Sequence, residues 1–410
     1  MPDSTPAPAR GPLDGLLVAD FSRILAGPYA TMLLADLGAE VVKVESPGGD
    51  DTRTWRPPAR EGVATYYLAV NRNKRSVALD FKDEDDRAAA RELAARAHVV
   101  VENFKPGGLA RFGLDYATVA AANPAVVYAS ISGFGSGKGA GLPGYDLMVQ
   151  AISGLMSLTG DPEGSPYRAG ISVFDVMAGM HATIGILAAL RHREETGQGQ
   201  HVEVNLLSTA LSGLVNHSSA YVAGGVVPLR MGNAHPSLFP YEPLPTADGE
   251  LIITAGNDGQ FRKLCDVLGV PDLIDDPRFA HNQDRTASRE QLRPLLVERL
   301  ATRSKMEWFR DLTAAGVPCG PINTIDGGVA FAEEMGLDPV VDAGHGEHAV
   351  PGIRNPIRFS HTPPRYELPP PELDEHGAQI RRWLTDPDAT RPRPAPIHAT
   401  VTTGGTDAQQ

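Results

Sequence analysis

The chain has 410 residues, 42% hydrophobic and 21% charged, which excludes a disordered or fibrous protein and leaves length for two domains with sizeable cores. A formal net charge of −13 excludes nucleic acid as a bulk electrostatic partner, while a local basic pocket for a phosphorylated small molecule stays open. The only two cysteines, Cys265 and Cys319, offer neither a disulfide framework nor a metal cluster and point to a reducing cytoplasm.

Met1–Pro12 is rich in Pro and Ala and lacks the basic start and apolar stretch of a secretory signal. No run approaches the ~20 apolar residues of a spanning helix, so no membrane partner is expected. Leu16–Phe21 then reads as a buried strand, Ala30–Leu37 as a helix stopped by Gly38, and Glu40–Val44 as a second strand, a unit of parallel type. The pattern recurs with strand Ser76–Asp80, helix Glu84–Ala97, strand His98–Glu102, helix Tyr116–Ala122 and strand Val126–Ile131. A doubly wound α/β sheet is the simplest reading.

Met177–Arg193 predicts a long apolar helix closed by Glu194–Gln200, and His201–Asn205 resumes a strand. Past Gly224 the composition changes. Met231–Pro245 is rich in Pro and Gly; a strand at Glu250–Ala255 and helices at Gln260–Leu268, Arg289–Ala301 and Lys305–Ala315 predict a smaller α+β domain. From Gly327 the sequence is irregular and Pro-rich up to a terminal helix near Glu375–Leu384, and Arg391–Gln410 has the composition of a disordered tail. No internal repeat is visible.

Asp175 stands between the strand-like run Gly170–Phe174 and the long helix. Taken alone it is a helix cap, its oxygen accepting an unpaired first-turn amide. The alternative is a nucleophile: a helix N-terminus is expected to lower its pKa and hold it ionised, and small neighbours such as Ala178 and Gly179 leave room for a carbonyl. Competing chemistries find less support. Gly133–Gly141 fails the Walker pattern, with Ser132 where its first Gly belongs and Gly139 where Ser or Thr should hold magnesium. It fails the dinucleotide pattern at Ala140, and no helix is expected after it, so it reads as a flexible loop. The scattered histidines lack zinc spacing, and no Gly-x-Ser-x-Gly elbow occurs.

An ordered set of segments resembles the family III CoA-transferases, the family of formyl-CoA transferase and carnitine CoA-transferase. It comprises Asp20-Phe21 with Ala26-Gly27-Pro28, Leu37–Glu45, Asn73–Ser76, Val101–Gly107, Ser132–Gly135, Gly144-Tyr145-Asp146, Asp175 and Gly197–Gln200. The resemblance runs from Leu13 to about Leu384. It implies an interlocked, ring-like homodimer of a Rossmann-like large domain and a smaller α+β domain. Here that means a large CoA-binding domain at 11–223, a small domain at 224–326, a return to the large domain at 327–388, and a tail from 389.

By resemblance, Asp175 is the nucleophile that forms an acyl-aspartyl anhydride and then an aspartyl-CoA thioester. No bound prosthetic group is implied; CoA thioesters are substrates. Leu79 and Lys82 match the family's adenine and phosphate contacts, Asn103, Phe104 and Lys105 its pantetheine and diphosphate loop, Arg111 a phosphate-binding arginine, and Tyr145 a contact near the reacting centre. Taken singly these are a core leucine, solvated cations and a partly buried aromatic. Ser46 and Leu25 depart from formyl-CoA transferase, which carries arginine and glutamine there, and this argues against oxalate and formyl-CoA specificity.

The racemase branch of the same fold pairs the aspartate with a histidine, where this chain has Tyr145, a poor proton shuttle at neutral pH. Met231–Tyr241, Ala255–Phe261 and Gly316–Asn323 are similar to the branch that moves CoA between succinate and other dicarboxylates. Arg23 and His235 are candidates for the distal carboxylate, or else a surface arginine and a loop-stabilising histidine. A non-catalytic CoA-binding paralogue is the reading from another class, and it would have no need to keep Asp175.

Overall fold

A computed structural model describes residues 11–386, 389 and 391. The expected tail lies outside the described residues, apart from 389 and 391. The chain forms two compact units, one of residues up to Gly141, Ala178–Val204 and from Asp342 onward, the other of Leu142–Met177 and Asn205–Val341.

The first unit is built on a six-stranded sheet. Its strands are β1 (Leu17–Asp20), β2 (Glu40–Glu45), β3 (Lys74–Ala78), β4 (Val99–Glu102), β5 (Val127–Ser132) and β6 (Gln200–Asn205). Their order, β3-β2-β1-β4-β5-β6, is that of doubly wound nucleotide-binding sheets. The pairs from β3 through β5 are parallel.

Helices α1 (Ala26–Asp36), α2 (Glu84–Arg96) and α3 (Tyr116–Ala122) lie between successive strands. Gly38, at φ 105°, supplies the left-handed turn that stops α1. Asp83 caps α2 by accepting the Asp86 amide, ahead of an acidic first turn that suits the helix dipole.

Side chains alternate across the strands with period two. Leu17, Ala19, Val42, Val44 and Val100 share one core with Ala90, Leu93 and Ala94 of α2. Val18, Val41, Val99, Val101 and Val127 share another with Leu34 and Ala35. Burial on both faces is why these strands read as continuous apolar runs.

Further along the chain come α4 (Asp146–Ile152) and, after a single helical turn at Leu155–Leu158, α5 (Val173–Thr196). Against expectation, α5 is long and apolar enough, by length and composition, to cross a membrane. Its Ala178, Ala182, Ile186 and Ala189 are buried, and Ile186, Ala189 and Leu190 belong to the second of those cores. This is the character of a core helix. Gly179 permits close packing on α1, since a Cβ there would meet the Ala26 carbonyl at 2.6 Å.

The second unit contains α6 (Leu206–Gly213) and the antiparallel strands β7 (Tyr241–Pro245), β8 (Glu250–Thr254) and β9 (Cys319–Pro321), in the order β9-β8-β7. Helices α7 (Asp258–Leu268), α8 (Arg289–Leu300) and α9 (Lys305–Ala314) enclose a core of Phe239, Leu251, Phe261, Leu264, Leu296 and Trp308. Residues 142–177 and 205–223, expected with the large domain, group with this unit, and α4 packs on α6 within it. Ile325–Glu334 is a helix where irregular chain was expected, its Gly327-Gly328 having lowered the helical signal.

Below the end of β1 the first unit buries charge. Asp20 and Lys74 are fully buried, with Oδ2 and Nζ 3.1 Å apart, and Asp20 also accepts the Thr31 hydroxyl at 2.6 Å and that of Ser22. Lys43 meets Asp50 at 2.9 Å, and Arg53 meets Glu45 at 2.7 Å. Burial brings the Lys74 ammonium down to about 8 even beside Asp20. Removing one partner strands the other charge in the interior. Asp20→Ala is therefore expected to lower unfolding free energy by about 3–5 kcal/mol, measured by urea denaturation at pH 7. A loss under about 1 kcal/mol would show that solvent reaches Lys74.

Candidate active site

Asp175 is the third residue of α5, in the turn where backbone amides lack helical acceptors. It does not cap that turn. Asp146, the first residue of α4, accepts the amides of Phe174 at 2.7 Å and Asp175 at 3.2 Å through Oδ1. One turn further along α4, the fully buried Gln150 donates to Asp146 Oδ2 at 2.5 Å and to the Ile171 carbonyl at 3.1 Å, and accepts the Ala169 amide at 2.8 Å. Asp146 and Gln150 thus fasten the segment 169–175 to α4.

Since Asp146 occupies the cap, the Asp175 carboxylate is left without a hydrogen-bond donor among the described residues. The expectation that the helix start keeps it ionised is corrected. Burial first, and then the like charge of Asp146, push its carboxyl up to about 7. A half-buried carboxylate without a donor partner keeps its oxygen lone pairs unengaged and is more basic than one bonded to amides.

The predicted CoA contacts fall in the first unit, apart from Tyr145. Leu79 is buried just past β3, where Phe81 bridges Phe21 and Phe112 with ring centroids 6.3 and 5.2 Å apart. This aromatic ladder lies beyond the carboxyl ends of β1, β3 and β4, the edge where such sheets bind ligands. Exposed Lys82 follows Phe81, and the exposed Arg111 guanidinium sits 4.5 Å from the Phe112 ring. Asn103 exchanges hydrogen bonds with the Arg23 backbone at 2.9 and 2.7 Å, and the Arg23 guanidinium lies 5.9 Å from the Phe104 ring.

The structure therefore gathers Arg23, Asn103 and Phe104 around one loop pair, and Leu79 and Arg111 around the ladder. Ile24, between Arg23 and Leu25, has φ 70°, a strained value for a β-branched residue, and its amide faces Asp50 at 3.2 Å. Phe104 and Lys105 also line a cavity of about 300 Å³, in which Ser130 Oγ and His201 Nε2 are 2.9 Å apart.

In the second unit Tyr145 is exposed and directly precedes Asp146. His235 accepts the Ser237 amide at 3.0 Å, packs on Tyr241 with ring centroids 5.0 Å apart, and is lowered in pKa by burial and by His217 and Arg289. Those contacts match a loop-stabilising histidine. Gly133–Gly141 forms turns and bends with no helix. Sequence reasoning missed the roles of Asp146, Gln150, Phe81 and Phe112; the Tyr145-Asp146 motif was visible, but its contact to a turn 28 residues away was not.

Compared with known proteins, the chain matches CoA-transferase family III over residues 13–377. It is 44% identical over 385 residues to the succinate–glutarate CoA-transferase of Agrobacterium fabrum, covering 90% of this chain and 94% of that one. It is 40% identical over 374 residues to the succinyl-CoA:glutarate CoA-transferase of Homo sapiens, covering 90% and 85%. A crystal structure of a CAIB/BAIF family protein from Brucella suis aligns with a TM-score of 0.82 at 46% identity, covering 92% of this chain and all (100%) of that one. These likenesses make the protein an enzyme of the transferase class, with CoA thioesters as substrates. The chain belongs to the family III CoA-transferases.

The raised Asp175 pKa has a stability consequence. A carboxyl whose folded pKa of about 7 exceeds its unfolded value favours folding while protonated, and that advantage is lost as pH rises from about 4 through 7. Asp175→Asn is therefore expected to stabilise the fold at pH 8 by about 1–3 kcal/mol, after allowance for solvent screening, and to change it little at pH 4. Thermal unfolding at both pH values checks this; equal shifts would contradict it.

Proposed function

We propose that this enzyme moves CoA from succinyl-CoA to a second dicarboxylate through covalent intermediates on Asp175. The names of the relatives support the substrates, and the observation that carries the mechanism is the Asp175 carboxylate left without a donor while Asp146 holds the helix start. In the first step an Asp175 oxygen bonds to the acyl carbon, the C–S bond breaks, and CoA leaves as thiolate. The thiolate then attacks the Asp175 carbonyl, releasing the donor carboxylate and leaving an aspartyl-CoA thioester. The acceptor carboxylate runs both steps in reverse. The relay keeps the thioester's free energy, provided water is excluded.

CoA is held, on this reading, by Leu79 and the aromatic ladder at the adenine, by Lys82, Lys105 and Arg111 at the phosphates, by Asn103 and Phe104 along the pantetheine, and by Tyr145 near the thioester. Arg23, whose side chain is 54% exposed, is free to reach a distal carboxylate from its loose pairing with Asp51 at 3.5 Å. His235 is assigned to the loop instead. Exposed apolar side chains support an obligate homodimer: Ile184 of α5 in the first unit, at 64% exposure, and Val222 and Leu229 in the second, at 81% and 75%. The unpaired cysteines suit a cytoplasmic enzyme.

Purified enzyme given succinyl-CoA is expected to form the CoA esters of four- and five-carbon dicarboxylates in preference to those of oxalate, formate or monocarboxylates. Asp175→Asn should lower turnover by at least about 10³-fold while CoA affinity changes less than about threefold. Exchange of the Cα proton of a 2-methylacyl-CoA, without CoA transfer, would establish the racemase reading in its place.

A further inference from the structure

We infer that Asp146 is a positioning residue that sets the strength of the nucleophile: locked by Gln150, it ties down the first amides of α5 while facing Asp175 with like charge. The inference rests on Asp175 being the nucleophile.

A helix cap needs only an oxygen, and serine, threonine or asparagine supplies one without charge. Here the cap is a carboxylate bonded to the amide of Asp175 itself, at 3.2 Å. It has little freedom to turn away, because Oδ1 also holds Phe174 and Oδ2 holds the Gln150 amide. Gln150 is fixed in turn, donating to the Ile171 carbonyl and accepting the Ala169 amide.

Among the described residues, no cation acts on Asp175. Helix α6, whose Gly213 lies against Met177, carries no charged residue along Leu206–Gly213. In the preceding loop Arg168 is exposed, and Asp146 is the charged group among the described residues that acts on Asp175, in the same upward direction as burial.

This arrangement bears on the chemistry at both covalent steps. When Asp175 attacks the acyl carbon and expels the thiolate, its negative charge passes to the departing sulfur. When the thiolate attacks the aspartyl carbonyl, the charge leaves on the donor carboxylate. In the anhydride and in the thioester alike, residue 175 is neutral and its repulsion from Asp146 is gone. Asp146 thus makes the free carboxylate more basic and favours the covalent states over it.

The test is the first half-reaction of the full-length enzyme with succinyl-CoA and no acceptor, followed from pH 5 to 9 in wild type, Asp146→Asn, Asp146→Ser and Asp146→Glu. The neutral variants are expected to move the acid limb of the rate down by about one pH unit, to slow the half-reaction at pH 8 by about 3–10-fold, and to lower the fraction of enzyme held as thioester. Asp146→Glu should restore part of both effects. An unmoved acid limb with an unchanged thioester fraction would overturn the inference. So would uniform slowing at every pH, or failure of both neutral variants to fold, since each makes Asp146 a structural cap alone. Absence of any covalent half-reaction in wild type would instead sink the nucleophile reading, a distinguishable result.

Discussion

Two backbone amides bonded to one carboxylate, Phe174 and Asp175 to Asp146 at 2.7 and 3.2 Å, decide what the start of α5 can do. An aspartate at a helix start ordinarily spends its oxygens on the amides around it, which lowers its basicity. Here a second aspartate takes the amides, and the first keeps its lone pairs. The carboxyl of Asp175 is consequently governed by burial and by a neighbouring anion, which push it up to about 7.

The first unit supplies a different resource. Its doubly wound sheet ends in loops bearing an aromatic ladder, exposed Lys82 and Arg111, and the Asn103–Arg23 clasp, the set to which the proposal assigns the adenine and phosphates. Beneath the β1 loop lie ion pairs sealed from water. Such pairs are weak contributors to net stability, but they tolerate few alternative arrangements. We regard them as fixing the course of the loop that carries Arg23 and the strained Ile24.

Much of this was legible in the sequence. The strands announced themselves because burial on both sheet faces leaves continuous runs such as Val99–Val101, and Tyr116–Ala122 was read with its observed limits. Motif order singled out Asp175 as the candidate, and the family to which that order pointed is the one the chain matches. What escaped were features set by distant partners. Helix α4 is short and follows a Pro- and Gly-rich stretch, so its period was hidden, and with it the cap that Asp146 provides. The pKa of Asp175 was expected to fall because a local rule about helix starts was applied without the long-range acceptor that displaces it. Residues 205–223 look like more of the large domain by composition, and only packing of α6 on α4 assigns them to the second unit.

The central claim is that an oxygen of Asp175 takes part in covalent chemistry, and isotopic labelling tests it most directly. A single turnover of the isolated aspartyl-CoA thioester with an acceptor dicarboxylate labelled with ¹⁸O in its carboxylates should deposit one acceptor oxygen in the Asp175 side chain, because the anhydride collapses by thiolate attack on the acceptor carbonyl. The peptide containing Asp175 should then gain about 2 Da by mass spectrometry, as expected of a carboxylate nucleophile. Formation of the acceptor's CoA ester with no label in that peptide would contradict the account.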